Sequence, residues 1–310
     1  MRRGFLAPAA LAIAMMFSQS RASVPLSPAG NGHLLVPVFI NAKGPFHAVL
    51  DTGADASGVY QWFADKATLK PGPSREIGGM TGTVTTPSYL LDSVTLDGHT
   101  VRHIPVDSYP NRHDNEAQAV IIGNDFMDGT IAVFDFPCGR VEIWPKPANM
   151  NSLLSSHAQE IHGGRVKDGT QLTFPVTIGS TGGIAVLDTG NRQTKLNLQF
   201  AKAARLDLQS RSFRDGETIY GANSKGMKSR FGPVGTVRIG SITIPDATAQ
   251  IMDLPVMHTF GLEGPAMIFG LDLMKGIRLV YDHQARQFWF DRSTCRAQTA
   301  VRFGVSTHDH

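Results

Sequence analysis

Short apolar segments that alternate with turns rich in glycine and proline run along most of the chain, a pattern typical of β-strands. Residues 34–40 and 46–50 are two such segments, and the five residues between them predict the turn of a β-hairpin. Residues 172–178 and 184–187 repeat this arrangement around a second five-residue turn. Both predicted hairpins end where an apolar strand runs into the same triplet, Asp-Thr-Gly.

This hairpin belongs to an internal duplication. Residues 48–53 (Ala-Val-Leu-Asp-Thr-Gly) recur without change at 185–190, and such self-similarity indicates a repeated structural unit. A given triplet arises by chance at about one position in several thousand, so two copies with the same apolar residues before them are not a coincidence. Each copy is followed by two apolar residues and a glycine, at 121–123 and at 268–270. We therefore predict two equivalent β-rich halves.

The repeat defines the domain organisation. We expect a first half over residues 31–145 and a second over 166–292, joined by a polar linker at 146–165. The tail at 293–310 carries no strand pattern.

The first 22 residues have the pattern of a signal peptide. A basic start (Met1-Arg2-Arg3) precedes an apolar run over residues 5–17, and residues 20–22 place small side chains where a signal peptidase reads them. The apolar run is too short to cross a bilayer about 30 Å thick as a helix, so a stable membrane anchor is the weaker interpretation. Ordinary secretion and a twin-arginine route both stay open. We expect a periplasmic or secreted protein.

Composition excludes several classes of protein. A hydrophobic content of 42% with 18% charged residues excludes a disordered chain. The net charge of +3 is spread without a basic cluster, so we expect no binding of nucleic acid. His99 and His103 would not align on a strand as they would on a helix, and we expect neither a metal nor a cofactor. Cys138 and Cys295 could form one disulfide or stay free, and the sequence leaves both open.

Asp51 and Asp188 are the candidate catalytic residues. A single Asp-Thr-Gly is most simply an ordinary turn, in which the aspartate bonds to its own backbone. Two copies of one half, however, can meet across a pseudo-twofold axis, which places the two loops face to face. Neighbouring carboxylates share one proton, because both do not ionise readily. One can then activate a water as a base while the other acts as an acid on an amide carbonyl.

At these residues the chain resembles the aspartic peptidases, and within them the retropepsin-like superfamily in its fused two-repeat form from bacterial secreted proteins. Residues 51–55 (Asp-Thr-Gly-Ala-Asp) are similar to the active-site loop of that family, and the apolar-apolar-Gly elements are similar to the segment that supports this loop. The resemblance covers about residues 33–291. It implies an all-β fold of two acid-protease barrel halves related by a pseudo-twofold axis. It also implies an endopeptidase that acts on polypeptides, as a monomer, because one chain supplies both loops.

The resemblance further implies a role for each residue of the loops. The two aspartates would form the catalytic dyad. Thr52 and Thr189 would cross-link the loops, and Gly53 and Gly190 would let backbone amides approach the carboxylates. Glycine-rich hairpin flaps cover the cleft in this family, although such segments can also be plain turns. The flap candidates are Gly78, Gly79 and Met80 in the first half and Tyr220 and Gly221 in the second.

Four neighbouring polar residues have simpler interpretations. Asn191 departs from the family, which usually carries Ala, Ser or Thr there, so the surroundings of the dyad could be asymmetric. Asp125 and Asp272 follow the apolar-apolar-Gly elements and are expected to be helix N-caps. Asp55 is expected to be structural.

A peptide-binding protein that keeps the acid-protease fold without turnover is the alternative function.

Overall fold

The computed structural model describes residues 23–111, 118–221, 226–296 and 300–303, so the predicted signal peptide lies outside the described residues. Within these ranges the chain is mainly β-strand, as the alternating apolar pattern predicts. The first half contains β1 (Val24–Pro25), β2 (Ser27–Pro28), β3 (Leu34–Ile40), β4 (Lys43–Leu50), β5 (Gly58–Tyr60), α1 (Gln61–Lys66), β6 (Pro71–Gly79), β7 (Gly82–Leu96), β8 (His99–Tyr109), β9 (Gln118–Ile122), α2 (Asn124–Met127), β10 (Thr130–Asp135) and β11 (Arg140–Pro145).

The second half repeats these elements after a short connection. The connection and the second half contain α3 (Met150–Leu153), β12 (Gln159–His162), β13 (Gly164–Arg165), β14 (Leu172–Ile178), β15 (Thr181–Leu187), β16 (Lys195–Asn197), α4 (Leu198–Ala203), β17 (Arg214–Asp215), β18 (Ile219–Tyr220), β19 (Gly226–Met227), β20 (Arg230–Ile239), β21 (Ile242–Met252), α5 (Val256–Thr259), β22 (Ala266–Phe269), α6 (Leu271–Met274), β23 (Arg278–Asp282), β24 (Gln287–Asp291) and β25 (Arg302–Phe303).

Each half forms a barrel with the same order of strands. In the first half the order is β3-β4-β9-β5-β8-β7, and β7 pairs back onto β3. In the second half it is β14-β15-β22-β16-β21-β20, and β20 pairs back onto β14. Alternate side chains fill the interior, such as Val36, Val38 and Ile40 on β3, because successive residues of a strand point to opposite faces. The predicted all-β fold of two barrel halves is confirmed.

The strand order determines where the candidate loops lie. β4 runs parallel to β9, with Leu50 opposite Ile122, and β5 pairs with the other edge of β9 in the antiparallel direction. The chain therefore leaves β4 at Asp51 and must cross the end of β9 before it joins β5. The second half repeats this crossing, with Leu187 opposite Phe269 and Asp188 at the start of the loop. Both aspartates thus follow the buried end of a strand, where the chain has to turn.

A sheet shared by both halves connects the barrels. Its strand order is β1-β11-β10-β23-β24-β12, and the antiparallel pair β10–β23 joins one half to the other. Helix α3, inside the predicted linker, contributes Leu153 to an apolar cluster that packs on this sheet. From the sheet, the hydroxyl of Tyr281 donates to Oδ1 of Asn124 (2.9 Å), and the Asn124 amide donates to the backbone carbonyl of Thr52 (3.1 Å). The shared sheet therefore also supports the Asp51 loop.

Cys138 and Cys295 form a disulfide, which decides between the two alternatives that the sequence left open. The bond ties the turn between β10 and β11 to the segment after β24. Beyond it, β25 pairs with β21, although the sequence of the tail carries no strand pattern. A two-residue strand is too short to produce a periodic pattern, so only its neighbours in space define it. No helix of the described residues is both long and apolar enough to span a membrane.

Candidate active site

Asp51 and Asp188 face each other where the two crossing loops meet. Their carboxyl groups lie next to each other and interact directly, as the repeat predicts for two loops across a pseudo-twofold axis. A Cβ atom at Gly190 would lie within 3.0 Å of the Asp51 carboxyl group, and one at Gly53 would crowd that of Asp188 in the same way. Glycine is required at both positions because the opposite carboxyl group occupies the space of a side chain.

Two threonines join the loops through buried hydrogen bonds. The Thr52 hydroxyl donates to the backbone carbonyl of Leu187 (3.0 Å) and accepts from the backbone N–H of Thr189 (3.0 Å). The Thr189 hydroxyl does the same in the opposite direction, to the carbonyl of Leu50 (2.7 Å) and from the N–H of Thr52 (3.0 Å). Each half thus satisfies backbone groups of the other half, and the loops are held in one geometry.

Asp125 anchors the first loop and is not a helix N-cap, so that prediction is wrong. Gly123 occupies the N-cap position of α2. One carboxylate oxygen of Asp125 accepts from the backbone N–H (2.9 Å) and the hydroxyl (2.7 Å) of Ser57, and the Ser57 hydroxyl in turn accepts from the N–H of Gly123 (3.1 Å). Burial raises the pKa of Asp125, and the bonds from Ser57 oppose this rise.

The second half repeats this anchor with different residues. Asp272 accepts from the backbone N–H (2.8 Å) and the hydroxyl (2.7 Å) of Thr194, and that hydroxyl accepts from the N–H of Gly270 (3.1 Å). Gly270 is the N-cap of α6, so the N-cap prediction is wrong here as well. A Cβ atom at Gly270 would lie 2.8 Å from the backbone oxygen of Asn191, because the loop packs directly on this glycine. The apolar-apolar-Gly elements therefore support the loops through close backbone contact.

Asp55 connects the first loop to the start of the second half. Its carboxylate accepts from the backbone N–H (2.7 Å) and the hydroxyl (2.5 Å) of Thr170. The side-chain amide of Gln171 donates to the backbone carbonyl of Gly53 (3.2 Å). These contacts give Asp55 a structural role, as its place after the Asp-Thr-Gly triplet predicts, although Asp55 also lines the cavity beside the dyad.

The two aspartates have different electrostatic surroundings. Burial raises the pKa of Asp51 well above its ordinary value, and the negative charge of Asp188 raises it further, against the bond from the Gly53 N–H. Burial also raises the pKa of Asp188, but the positive charge of Lys195 opposes this rise. Such a pair shares one proton over a range of pH, which is the state needed for combined acid and base chemistry.

Lys195 is the residue of this site that sequence reasoning missed. It lies on β16, is only 4% exposed, and donates from Nζ to Oδ1 of Asn191 and to the backbone carbonyl of Gln193 (3.2 Å). In the first half the equivalent position, seven residues after the aspartate, is Gly58, where a Cβ atom would collide with the ring of Tyr109. Placing the two repeats side by side shows the change from glycine to lysine, so the sequence did contain a signal.

A cavity of about 880 Å³ lies over the dyad, and both flap candidates line it. In the first half Gly78, Gly79 and Met80 are at the end of the β6–β7 hairpin, where Gly79 pairs with Gly82. In the second half Tyr220 is the last residue of β18, which pairs with β19. Residues 222–225, which follow Gly221 in this segment, lie outside the described residues. The two segments meet above the cavity, where Gly221 packs on Thr81.

Apolar and polar side chains together line the cavity. On the side of the second half, Ile219, Val256, Phe260 and Ile268 line the cavity and belong to an apolar cluster against which Met80 also packs. On the side of the first half the lining includes the aromatic and polar side chains of Tyr60, Glu76, Asp107, Tyr109 and Gln118. Both halves also contribute residues of the other kind, such as Arg192 and Glu217 in the second half and Val49 and Ile121 in the first, so a bound chain would contact apolar and polar groups on both sides.

Comparison with known proteins agrees with this structure. A family model described as aspartyl protease matches residues 36–126 and 174–273, together more than half of the chain. No curated protein shows a significant match. The two matched segments contain one Asp-Thr-Gly loop each and correspond to the two barrels. A two-barrel fold that repeats the family's sequence pattern once in each barrel leaves one conclusion: the chain belongs to the aspartyl protease family.

Proposed function

We propose that this protein is an aspartic endopeptidase that hydrolyses peptide bonds with a water activated by Asp51 and Asp188. The observation that carries the proposal is the pair of buried, adjacent carboxyl groups that line a cavity between the two halves. Burial and the proximity of the second carboxyl group favour a state with one shared proton, which is the state that this chemistry requires.

The reaction needs no group beyond the dyad, a water and the substrate. The ionised carboxylate takes a proton from the water as its oxygen bonds to the carbonyl carbon, and the protonated carboxyl group gives its proton to the carbonyl oxygen. The product of this step is a gem-diol. The first aspartate then returns its proton to the amide nitrogen as the C–N bond breaks, while the second takes a proton from a gem-diol hydroxyl. The dyad is thereby restored with one proton.

The cavity favours an extended polypeptide as substrate. It runs between the two halves and is covered by the two glycine-containing segments that meet at Gly221 and Thr81. We propose that these segments act as flaps, whose backbone groups would bind the backbone of the substrate. The apolar cluster of the second half that lines part of the cavity, with Ile219, Phe260 and Ile268, would accept hydrophobic side chains.

We also propose that the enzyme is exported and acts in the periplasm or outside the cell. Residues 1–22 have the sequence of a signal peptide. The Cys138–Cys295 disulfide supports the same location, because disulfides persist mainly in oxidising compartments.

The test is cleavage of a diverse peptide library by purified residues 23–310 between pH 3 and pH 7, followed by mass spectrometry. We expect cuts that are absent with Asp51→Asn and with Asp188→Asn, because a neutral amide cannot take part in the shared-proton chemistry. Asp92→Asn, which changes an exposed aspartate of β7 outside the cavity, is the matched control and should cleave like the unmodified protein. Cleavage by either dyad variant at the full rate would contradict the assignment. Peptide binding without cleavage by a folded sample would favour the binding protein instead.

A further inference from the structure

Lys195 is a buried cation that the proposed mechanism does not use. Its side chain is removed from solvent, and no carboxylate among the described residues lies within 4.0 Å of its nitrogen. The nitrogen is instead held by two neutral oxygens, those of the Asn191 side chain and the Gln193 backbone. Burial of an ammonium group without a direct ion pair is costly, so a nearby negative charge is needed to keep it protonated.

The charges around Lys195 come from several elements. Asp188 from its own half and Asp272 from α6 favour the ammonium form, Glu217 does so more weakly, and Arg192 opposes it. Burial is the largest effect and lowers the pKa of Lys195 to about 8. The side chain therefore carries its positive charge throughout the acidic and neutral range.

The positive charge of Lys195 has no counterpart at the equivalent position of the first half. Lys195 follows Asp188 by seven residues, whereas Gly58 stands at the same distance after Asp51. The ring of Tyr109 fills the space beside Gly58, so the first half has no room for a lysine there. The pseudo-twofold symmetry of the two loops is thus broken by charge at this position, as it also is four residues after each aspartate, where Asp55 corresponds to Arg192.

We propose that Lys195 is a positioning residue that holds the negative charge of the dyad on Asp188 and leaves the shared proton on Asp51. This inference rests on the proposed peptidase function and assigns the two roles within it. Asp188 takes the proton from the attacking water and later gives it to the leaving nitrogen. Asp51 protonates the carbonyl oxygen and recovers a proton when the gem-diol collapses.

The contact with Asn191 extends this role to the cavity. An ammonium group can only donate, so Asn191 must turn its amide oxygen toward Lys195 and its amide nitrogen away. That nitrogen is buried and donates to no acceptor among the described residues, and Asn191 lines the cavity. Lys195 thereby also fixes the direction of a hydrogen-bond donor next to Asp188, at the position where the family usually has Ala, Ser or Thr.

Substitution of Lys195 by neutral and by charged residues tests the proposal. Lys195→Met removes the charge, Lys195→Gln removes it but keeps a donor for Asn191 and Gln193, and Lys195→Arg keeps the charge. The measurement is kcat/KM between pH 3 and pH 8 for a peptide identified in the library screen, with folding of each variant verified by circular dichroism.

We expect the acidic limb of the profile to move to higher pH in both neutral variants. A positive charge favours the ionised carboxylate, so its removal raises the pH at which the dyad loses its first proton. Below the optimum, kcat/KM should fall several-fold and recover as the pH rises, whereas Lys195→Arg should keep the original limb. The proposal would be overturned if the acidic limb of the kcat/KM profile stays in place in Lys195→Gln. It would also be overturned if this limb moves as far in Lys195→Arg as in the neutral variants. A purely structural role would lower activity at all pH values alike.

A second measurement does not depend on peptide cleavage. The carboxyl carbons of ¹³C-labelled aspartate report the ionisation of each residue by NMR, and Asp51→Asn and Asp188→Asn assign the two signals. We expect Asp188 to ionise at lower pH than Asp51, and the separation to shrink in Lys195→Gln. If Asp51 ionises first, or if the separation is unchanged, the inference about Lys195 fails even where cleavage is observed. If no peptide is cleaved, the proposed function fails, and the titration still decides the role of Lys195.

Discussion

Replacement of Thr189 by valine is a direct test of the hydrogen bonds that join the two loops. Valine has nearly the shape of threonine but lacks the hydroxyl group. In the folded protein this hydroxyl donates to the backbone carbonyl of Leu50 (2.7 Å) and accepts from the backbone N–H of Thr52 (3.0 Å). Thr189 is only 2% exposed, so water cannot replace the hydroxyl without a rearrangement of the loops.

The expected loss of stability follows from the two backbone groups left without a partner. An unsatisfied buried donor or acceptor costs about 1–3 kcal/mol. With two such groups and some relaxation, Thr189→Val should lower the free energy of unfolding by about 2–4 kcal/mol. Thr189→Ser keeps the hydroxyl and removes one methyl group, which should cost about 1 kcal/mol. The difference between the two variants therefore isolates the hydrogen bonds from the packing.

The assay is urea unfolding followed by tryptophan fluorescence, with the free energy obtained by linear extrapolation. Thr52→Val should have a similar effect, because its hydroxyl makes the equivalent bonds to Leu187 and Thr189. The double variant should cost less than the sum of the single ones, since each threonine bonds to the other's backbone. If Thr189→Val is within about 0.5 kcal/mol of Thr189→Ser, the cross-link does not stabilise the interface and the reasoning is refuted.

Three further predictions concern the dyad and the disulfide. Gly190→Ala should reduce kcat/KM at least about tenfold, which is a rise of about 1.4 kcal/mol in the activation free energy, because the new methyl group displaces the Asp51 carboxyl group. A kcat/KM equal to that of the unmodified enzyme would show that the close contact at Gly190 is not needed. Burial raises the pKa of both dyad aspartates, so the folded protein binds protons more tightly than the unfolded chain and loses stability as the pH rises above the unfolded value of 3.8. Asp51→Asn should therefore melt at the same or a higher temperature at pH 7 and depend less on pH, and a lower melting temperature at pH 7 with the same slope would contradict this. Replacement of both Cys138 and Cys295 by serine should lower the free energy of unfolding, measured in urea, by about 2–5 kcal/mol, because the disulfide links residues that are 157 positions apart in the chain. An unchanged urea midpoint would contradict this prediction.

The duplicated motif made the fold and the centre of the candidate site accessible from the sequence. An apolar strand that runs into Asp-Thr-Gly is a local pattern, and its second copy indicates a pseudo-twofold arrangement of equivalent loops. The structure places Asp51 and Asp188 together, as this symmetry requires. The two confirmed expectations, the family and the two-barrel fold, rest on this repetition.

The roles of Asp125 and Asp272 show where local reasoning failed. Both residues stand at the start of a short helix, and an aspartate at such a place is often an N-cap. Their carboxylates instead bind Ser57 and Thr194, which are 68 and 78 residues away along the chain. A capping rule considers only the nearest residues, so it could not predict a partner that the barrel closure brings into contact.

The sequence by itself determined the class of fold, the two equivalent halves and the candidate pair of aspartates, because all three depend on short local patterns and on their second copy along the chain. The tertiary structure alone decided that Cys138 bonds to Cys295 and that the charge of Lys195 lies beside Asp188. Disulfide geometry and electrostatic interactions depend on distances in space. Such distances arise only when strands that are far apart in the chain pack together. The spacing of residues along the chain therefore does not predict them directly.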